Sequence, residues 1–320
     1  LDNPEWEIVS SKTTLYRDID RGHAYNIFLK YKDVPVLYSP FFSFPLSRDR
    51  HSGFLLPSVG SSGESGTVIS TPYYFNIAEN IDFTFTPTNY SGRGIMFDGQ
   101  LRHKSKNSNT EIELTRMDKD DVKGESRHAY SIRDQRVFKN TLSAGDNGQW
   151  NGTLISSNIN LGGISDLTYF DDFGNSVSRI GRTHITREII LDRIDYGKFG
   201  YLNTSVKATD YQLVKTDLQE QYSVLPQARI HYSSYDKNNT LKYNFNGELS
   251  VFDHTYSYKA TGTRLMLYPS IEYPMRNIGW ELTPKLGIKH RSYSISRGSD
   301  NNITDTTPIL SLRGKMIFDE

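Results

Sequence analysis

The chain has 320 residues in which 37 Lys and Arg balance 37 Asp and Glu, so no net field draws it to nucleic acid or another polyanion. Cysteine is absent, which excludes an internal disulfide framework, a thiolate metal site and a cysteine nucleophile from this stretch. A mean hydropathy of -0.58 beside 21 Tyr and 16 Phe requires apolar residues interleaved with polar ones, the texture of period-two strands rather than of helices with a broad apolar face.

Apolar runs such as residues 27–29 and 34–38 are far shorter than the ~20 residues of a spanning helix. Leu1 is no initiator, and residues 1–10 lack the basic start and apolar stretch of a secretion signal, so the chain reads as a fragment or processed product. In the first 38 residues Tyr25, Ile27, Leu29 and Tyr31 alternate with Asn26, Phe28, Lys30 and Lys32, which predicts short strands with one greasier face. Pro35, Pro40, Pro45 and Pro57 then fall among Tyr38, Phe41, Phe42, Phe44 and Phe54, before a Ser/Gly-rich stretch at 58–66. Proline at this density predicts an interrupted ladder and a junction between two β units, with the boundary near Arg50.

Beyond it the alternation lengthens. Ile95, Phe97, Gly99 and Leu101 oppose Met96, Asp98, Gln100 and Arg102; Leu241, Tyr243, Phe245, Gly247, Leu249 and Val251 oppose Lys242, Asn244, Asn246, Glu248 and Ser250. Trp280, Leu282, Leu286 and Ile288 oppose Glu281, Thr283, Lys285 and Lys289, and Leu310, Leu312, Gly314, Met316 and Phe318 repeat the pattern. Segments of about twice the ~5–6 residues usual in soluble sandwiches, with charges on the polar side, predict transmembrane β-barrel strands around a wet lumen. About fifteen such strands fit at ~18 residues per strand and turn. Tyr73, Tyr74, Phe75, Tyr268 and Tyr273 suit interfacial girdles and equally suit ordinary strands. The last run reaches the chain end without an aromatic closure, so either the barrel is cut off or another chain completes it.

The stretch from Pro35 to Gly94 carries a family resemblance. It reads Val34-Pro-Val-Leu-Tyr-Ser-Pro-Phe-Phe-Ser-Phe-Pro-Leu, Arg50-His-Ser-Gly-Phe-Leu-Leu-Pro, Thr71-Pro-Tyr-Tyr-Phe-Asn-Ile-Ala, Thr84-Phe-Thr-Pro and Gly92-Arg-Gly. In order and spacing this resembles the LptD family of lipopolysaccharide (LPS) assembly proteins, with weaker echoes at residues 164–173, 267–274 and 312–319. The resemblance implies an all-β fragment: residues 1–50 would be the end of a periplasmic β-jelly-roll with its proline-rich junction (Pro35, Pro40, Pro45), and residues 51–320 the N-terminal part of an incomplete outer-membrane barrel. It implies LPS as cargo, lipoprotein LptE as barrel plug, an LptA-type periplasmic bridge, outer-membrane lipids as surroundings, and neither cofactor nor enzymatic activity. Pro57 and Pro72 resemble the prolines that weaken a lateral gate through which acyl chains leave while sugars use the lumen. Tyr25, Ile27, Leu29 and Tyr31 would line an acyl-chain groove, and they are equally the row of a sandwich core. The interdomain disulfides of the family have no partner in this segment.

Other constellations read as structure. Asp118, Asp120 and Asp121 with Gly124 are misplaced for a calcium loop and predict a solvated turn. Asp166, Asp171 and Asp172 flank Tyr169 and Phe170 as a loop cluster. His51 beside Ser52 invites a hydrolase, but the nucleophile elbow Gly-x-Ser-x-Gly is missing and the other histidines lack ligand spacing. An outer-membrane lipid hydrolase and a general porin or receptor barrel are therefore the two rival readings.

Overall fold

The computed structural model describes residues 6–47, 49–63, 65–145, 149–174, 184–215, 218–235, 240–298 and 302–316. Phe318, in the last alternating run, lies outside them. The fold is all-β with antiparallel pairing. β1 (Trp6–Tyr16), β2 (Arg21–Tyr31) and β3 (Val34–Pro45) form one sheet in that order. Next come β4 (Gly53–Phe54), β5 (Ser58–Ser62), β6 (Gly66–Ser70), β7 (Tyr73–Ala78), β8 (Ile81–Tyr90), β9 (Gly94–Lys104) and β10 (Ser108–Met117). β11 (Arg127–Asn140), β12 (Ser143–Ala144) and β13 (Trp150–Ile164) precede a short helix α1 (Tyr169–Phe173). β14 (His184–Tyr196), β15 (Gly200–Leu213), β16 (Ser223–Ser234), β17 (Lys242–Asp253), β18 (Thr261–Glu272), β19 (Met275–Asn277), β20 (Trp280–Arg297) and β21 (Ile303–Met316) complete it.

The chain divides into two compact units, Leu1–His103 with Ile112–His128, and Lys104–Glu111 with Ala129–Glu320. In the first, β2 and β3 are joined by Lys32 and Asp33, both left-handed (φ 46° and 67°), as the two-residue turn of a twisted hairpin demands. β3 pairs with β2 from Tyr31 opposite Val34 to Arg21 opposite Pro45, with one register shift. Proline density predicts a broken ladder here; the strand runs on continuously, and its ladder slips once, where Pro35 stands opposite Lys30. The reason is position: β3 flanks β2 on the outside of the sheet, where a missing N–H leaves no inner ladder unpaired.

In the second unit the strands run as a meander, each pairing with its sequence neighbour, and are long: β13 has 15 residues and β20 has 18. Connections at one end, such as 197–199, are tight, whereas those at the other, such as 165–183 and 254–260, are longer. That asymmetry is the habit of outer-membrane strands, which turn tightly on one side of the bilayer.

Side-chain polarity is inverted relative to a water-soluble sheet. In β17, Leu249 is 44% exposed while its neighbours Glu248 and Ser250 are 9% and 0% exposed. Leu249 stands opposite Leu265 of β18, and Leu286 of β20 opposite Leu310 of β21, so exposed aliphatic residues pair across strands. On the opposite face Glu248 accepts from Arg229 of β16 at 3.1 Å and from Arg264 of β18, while Glu272 meets Lys285 of β20 at 3.1 Å. Opposite charges paired across strands contribute roughly 0.2–1 kcal/mol each. A sheet surrounded by water gains ~25 cal/mol per Å² by hiding its aliphatic side chains. Leaving them outside is stabilising only where hydrocarbon is the neighbouring solvent.

Candidate functional site

The candidate site lies in the first unit, where the three-stranded sheet gives way to β4. Asp20, in the turn after β1, receives the Ser47 hydroxyl and the His51 Nε2 at 3.0 Å. The Ser47 hydrogen bond first, and the neighbouring His51 ring with it, hold the Asp20 carboxyl below its ordinary value. Arg21 donates to the Ser52 carbonyl at 3.2 Å, and the Ser52 hydroxyl accepts the Asn76 amide at 2.8 Å. His51 and Ser52 therefore serve different partners instead of forming the nucleophile–base pair of a hydrolase. Arg50 donates to the Tyr74 hydroxyl at 2.8 Å and to the Glu79 carbonyl at 3.1 Å, and it pairs with Asp82, which also accepts from Arg102 at 2.7 Å. The base of β4 is thereby fastened to β7, β8 and β9.

Above this clamp the first hairpin is split into two ladders. Gly53 and Phe54 pair with Tyr74 and Tyr73, and residues 58–62 pair with 66–70. Pro57 lies in the break on one strand and Pro72 in the break on the other. Across the break Leu55 N–H donates to Pro72 O at 2.9 Å, and Thr71 N–H donates to Pro87 O at 3.0 Å. The Pro72 and Pro87 carbonyls accept, but their ring nitrogens have no proton to return, so the two-bond exchange of a regular antiparallel pair is halved at each. Pro87 on β8 is the member that sequence reasoning missed; its spacing, fifteen residues after Pro72 as Pro72 is after Pro57, is the signal that was available.

The loops at the far end of these strands are stitched together. Asp120, between β10 and β11, is fully buried and accepts from Arg93 and Arg127, each at 2.9 Å, and from the Val122 amide at 2.9 Å. Arg93 also donates to the Ser65 hydroxyl at 3.1 Å, and Asp121 N–H to Arg93 O at 2.9 Å. Burial raises the Asp120 carboxyl, but the Val122 amide and the two guanidinium groups outweigh it and hold the group below its ordinary value. The acidic run at 118–121 predicts a solvated turn; Asp118 and Asp121 are exposed, but Asp120 is the core of a three-loop junction.

The four residues of the expected groove do not form one evenly shielded row. Ile27 is 8% exposed but Tyr25 is 37% exposed, because Asn26 between them is left-handed (φ 48°) and shifts the alternation. Leu29 is half-buried, and the Tyr31 side chain lies outside the described residues. Tyr25 packs on Phe41 and Phe28 on Tyr38, so rings crowd the more exposed side of β2. Pro35, Pro40 and Pro45 lie within β3. In the second unit Asp166 accepts from Ser165 and Thr168 ahead of α1, whose Tyr169 and Phe173 are buried, so that acidic cluster shapes a loop.

Two family models match the chain: one described as LptD, LPS transport system D, over residues 125–320, and one described as LptD protein, over residues 24–161. Among curated proteins, the LPS-assembly protein LptD of Chromobacterium violaceum is 32% identical over 98% of this chain and 39% of its own length. Its counterpart in Aromatoleum aromaticum is 30% identical over 99% of this chain and 38% of its own length, and that in Azoarcus sp. is 29% identical over 100% and 38%. The chain thus spans about two fifths of the length of these relatives. A solved structure described as a bacterial polysaccharide outer membrane secretin, 14% identical, aligns with a TM-score of 0.32 over 82% of this chain and 84% of its own, a likeness too loose to bear on fold or site.

Proposed function

The chain belongs to the LptD family, LPS transport system D, and from that premise we propose that it forms the outlet through which lipopolysaccharide enters the outer leaflet of the outer membrane. In this reading residues 1–50 are the end of a periplasmic jelly-roll and residues 51–320 the first part of the barrel wall. The aliphatic face of the long strands meets lipid, and the face with cross-strand ion pairs lines a wet lumen. That inverted polarity is the observation that carries the proposal. Lipopolysaccharide joins acyl chains to a sugar portion, so the two halves need separate routes: hydrocarbon beside the wall, sugar within it.

The row at Pro57 and Pro72 is the proposed lateral gate. Each missing donor removes about 1 kcal/mol of net ladder energy, enough to let a seam breathe without unfolding the wall. Ile27, Leu29 and the rings around Tyr25 would shield acyl chains on arrival, and Tyr31 belongs to the same proposed groove. Lipoprotein LptE as plug and an LptA-type bridge upstream complete the assembly. The protein acts as a transport component, not as an enzyme. A general porin or receptor barrel has no need of the N-terminal sheet or of the clamp through Arg50.

The test is replacement of both Pro57 and Pro72 by valine in the full-length protein. Delivery of labelled lipopolysaccharide into vesicles carrying the reconstituted assembly should slow, while the temperature of unfolding on heated gels should rise. Unchanged delivery with both prolines replaced would remove them from the mechanism.

A further inference from the structure

One pocket interrupts the charged face of the second unit. It encloses about 340 Å³ at the loop end of β16, β17, β18 and β20, among Tyr222, Phe252, Tyr293 and Ile295. Phe252 shares its face with Glu248 and Ser250, since side chains two apart along a strand fall on one side. In register, Phe252 stands opposite Gly262, and Gly262 opposite Ile295. Gly262 brings no side chain, so a bare backbone floor lies between a ring on one strand and a branched chain on the other. Its backbone is closely flanked as well: a Cβ there would come within 2.2 Å of the Ser294 carbonyl oxygen.

The rings continue outward from the pocket. Tyr222 meets Phe252 edge-on and contacts His254 at 4.8 Å; His254 meets Tyr256 at 5.4 Å, and Tyr256 stacks on Tyr258 at 5.4 Å with planes 10° apart. Two cations flank them. The Arg264 guanidinium lies 5.1 Å from the Phe252 ring centre, and the Lys259 ammonium 5.6 Å from that of Tyr258. Arg297 donates to the His254 and Lys259 carbonyls at 2.5 and 3.2 Å, so the loop is held in place before any ligand arrives.

We propose that this ring series is a binding platform for the anionic oligosaccharide portion of a glycolipid. A pyranose ring has an apolar C–H face that stacks on aromatic faces, and acidic or phosphorylated substituents at its edge suit Arg264 and Lys259. An acyl chain is the poorer occupant: the pocket opens on the face that carries charge, while the aliphatic face is the opposite one. The inference rests on the proposed transport of lipopolysaccharide and assigns its sugar portion a stopping place on the wall.

The experiment uses full-length protein in detergent and, as probe, the core oligosaccharide released from lipopolysaccharide by mild acid, with saturation-transfer NMR as readout. Transfer to sugar ring protons is expected with the unaltered protein, and Phe252→Ala should weaken binding about tenfold, the scale of one lost stacking surface. Tyr258→Ala changes an exposed loop ring and should weaken binding several-fold, about threefold; it decides the matter if Phe252→Ala loses the heat-dependent gel shift of a folded barrel. Binding that survives Tyr258→Ala and a folded Phe252→Ala overturns the platform, as does displacement of the sugar by octanoate, which would make the pocket an acyl site. Delivery of lipopolysaccharide to vesicles is measured in parallel on the unaltered protein. Its failure alone strikes the transport reading and leaves sugar binding to be judged on its own.

Discussion

Asp120 concentrates more consequence than any other single side chain described. It is buried between two guanidinium groups, Arg93 from the turn before β9 and Arg127 from the start of β11, and removing one partner from a buried ion cluster costs about 3–5 kcal/mol. Asp120→Ala should therefore release the 118–126 loop to a protease at temperatures where the unaltered protein resists, as read by the appearance of a nicked band. The pH dependence has a definite sign. Because the folded-state carboxyl lies below its unfolded value of 3.8, its contribution is complete above that value and is lost as pH falls through the lower, folded one. Protection of the loop should hold from neutrality to about pH 4 and fade on further acidification. Asp120→Asn should flatten that acid limb, and a limb that persists would assign it to another group. None of this was legible in the sequence, where Asp118, Asp120 and Asp121 look alike. Which carboxylate turns inward depends on Arg93 and Arg127 arriving from elsewhere in the chain.

Strands were far more legible than loops, and the physical reason is periodicity. A side chain's face on a strand follows from counting by two, so Leu241, Tyr243 and Leu249 on one side and Glu248 and Ser250 on the other can be read without coordinates. In β3 the interruption is confined to one register shift beside Pro35, because prolines on an outer strand disturb no inner ladder. The breaks at residues 55–57 and 71–72 required knowing which strands lie side by side, and the alignment of Pro87 with Thr71 is visible only in the register. A substitution separates the two faces of an element. Leu249→Arg would set a charge on the outward row of β17 and should destabilise the fold by about 2–4 kcal/mol if that row is at mid-bilayer, whereas Asn246→Arg on the other face should cost far less. Comparable unfolding midpoints for the two in urea would contradict the assignment of the faces.

For the whole molecule, two ends of the first hairpin are fastened by charged side chains, and its middle is held by single backbone bonds. Arg50, Tyr74 and Asp82 secure one end, Ser65, Arg93 and Asp120 the other, and between them runs the row of Pro57, Pro72 and Pro87. Fabric weakened along a short line but hemmed above and below does not tear from the border; it gapes, like a buttonhole. An aperture of that kind has a fixed maximum height, set by the distance between the hems. Slender hydrocarbon tails could slip through it sideways, whereas any bulky hydrophilic bundle would be retained on its own side. A size filter of this sort would need no moving part beyond three chains bowing at the waist.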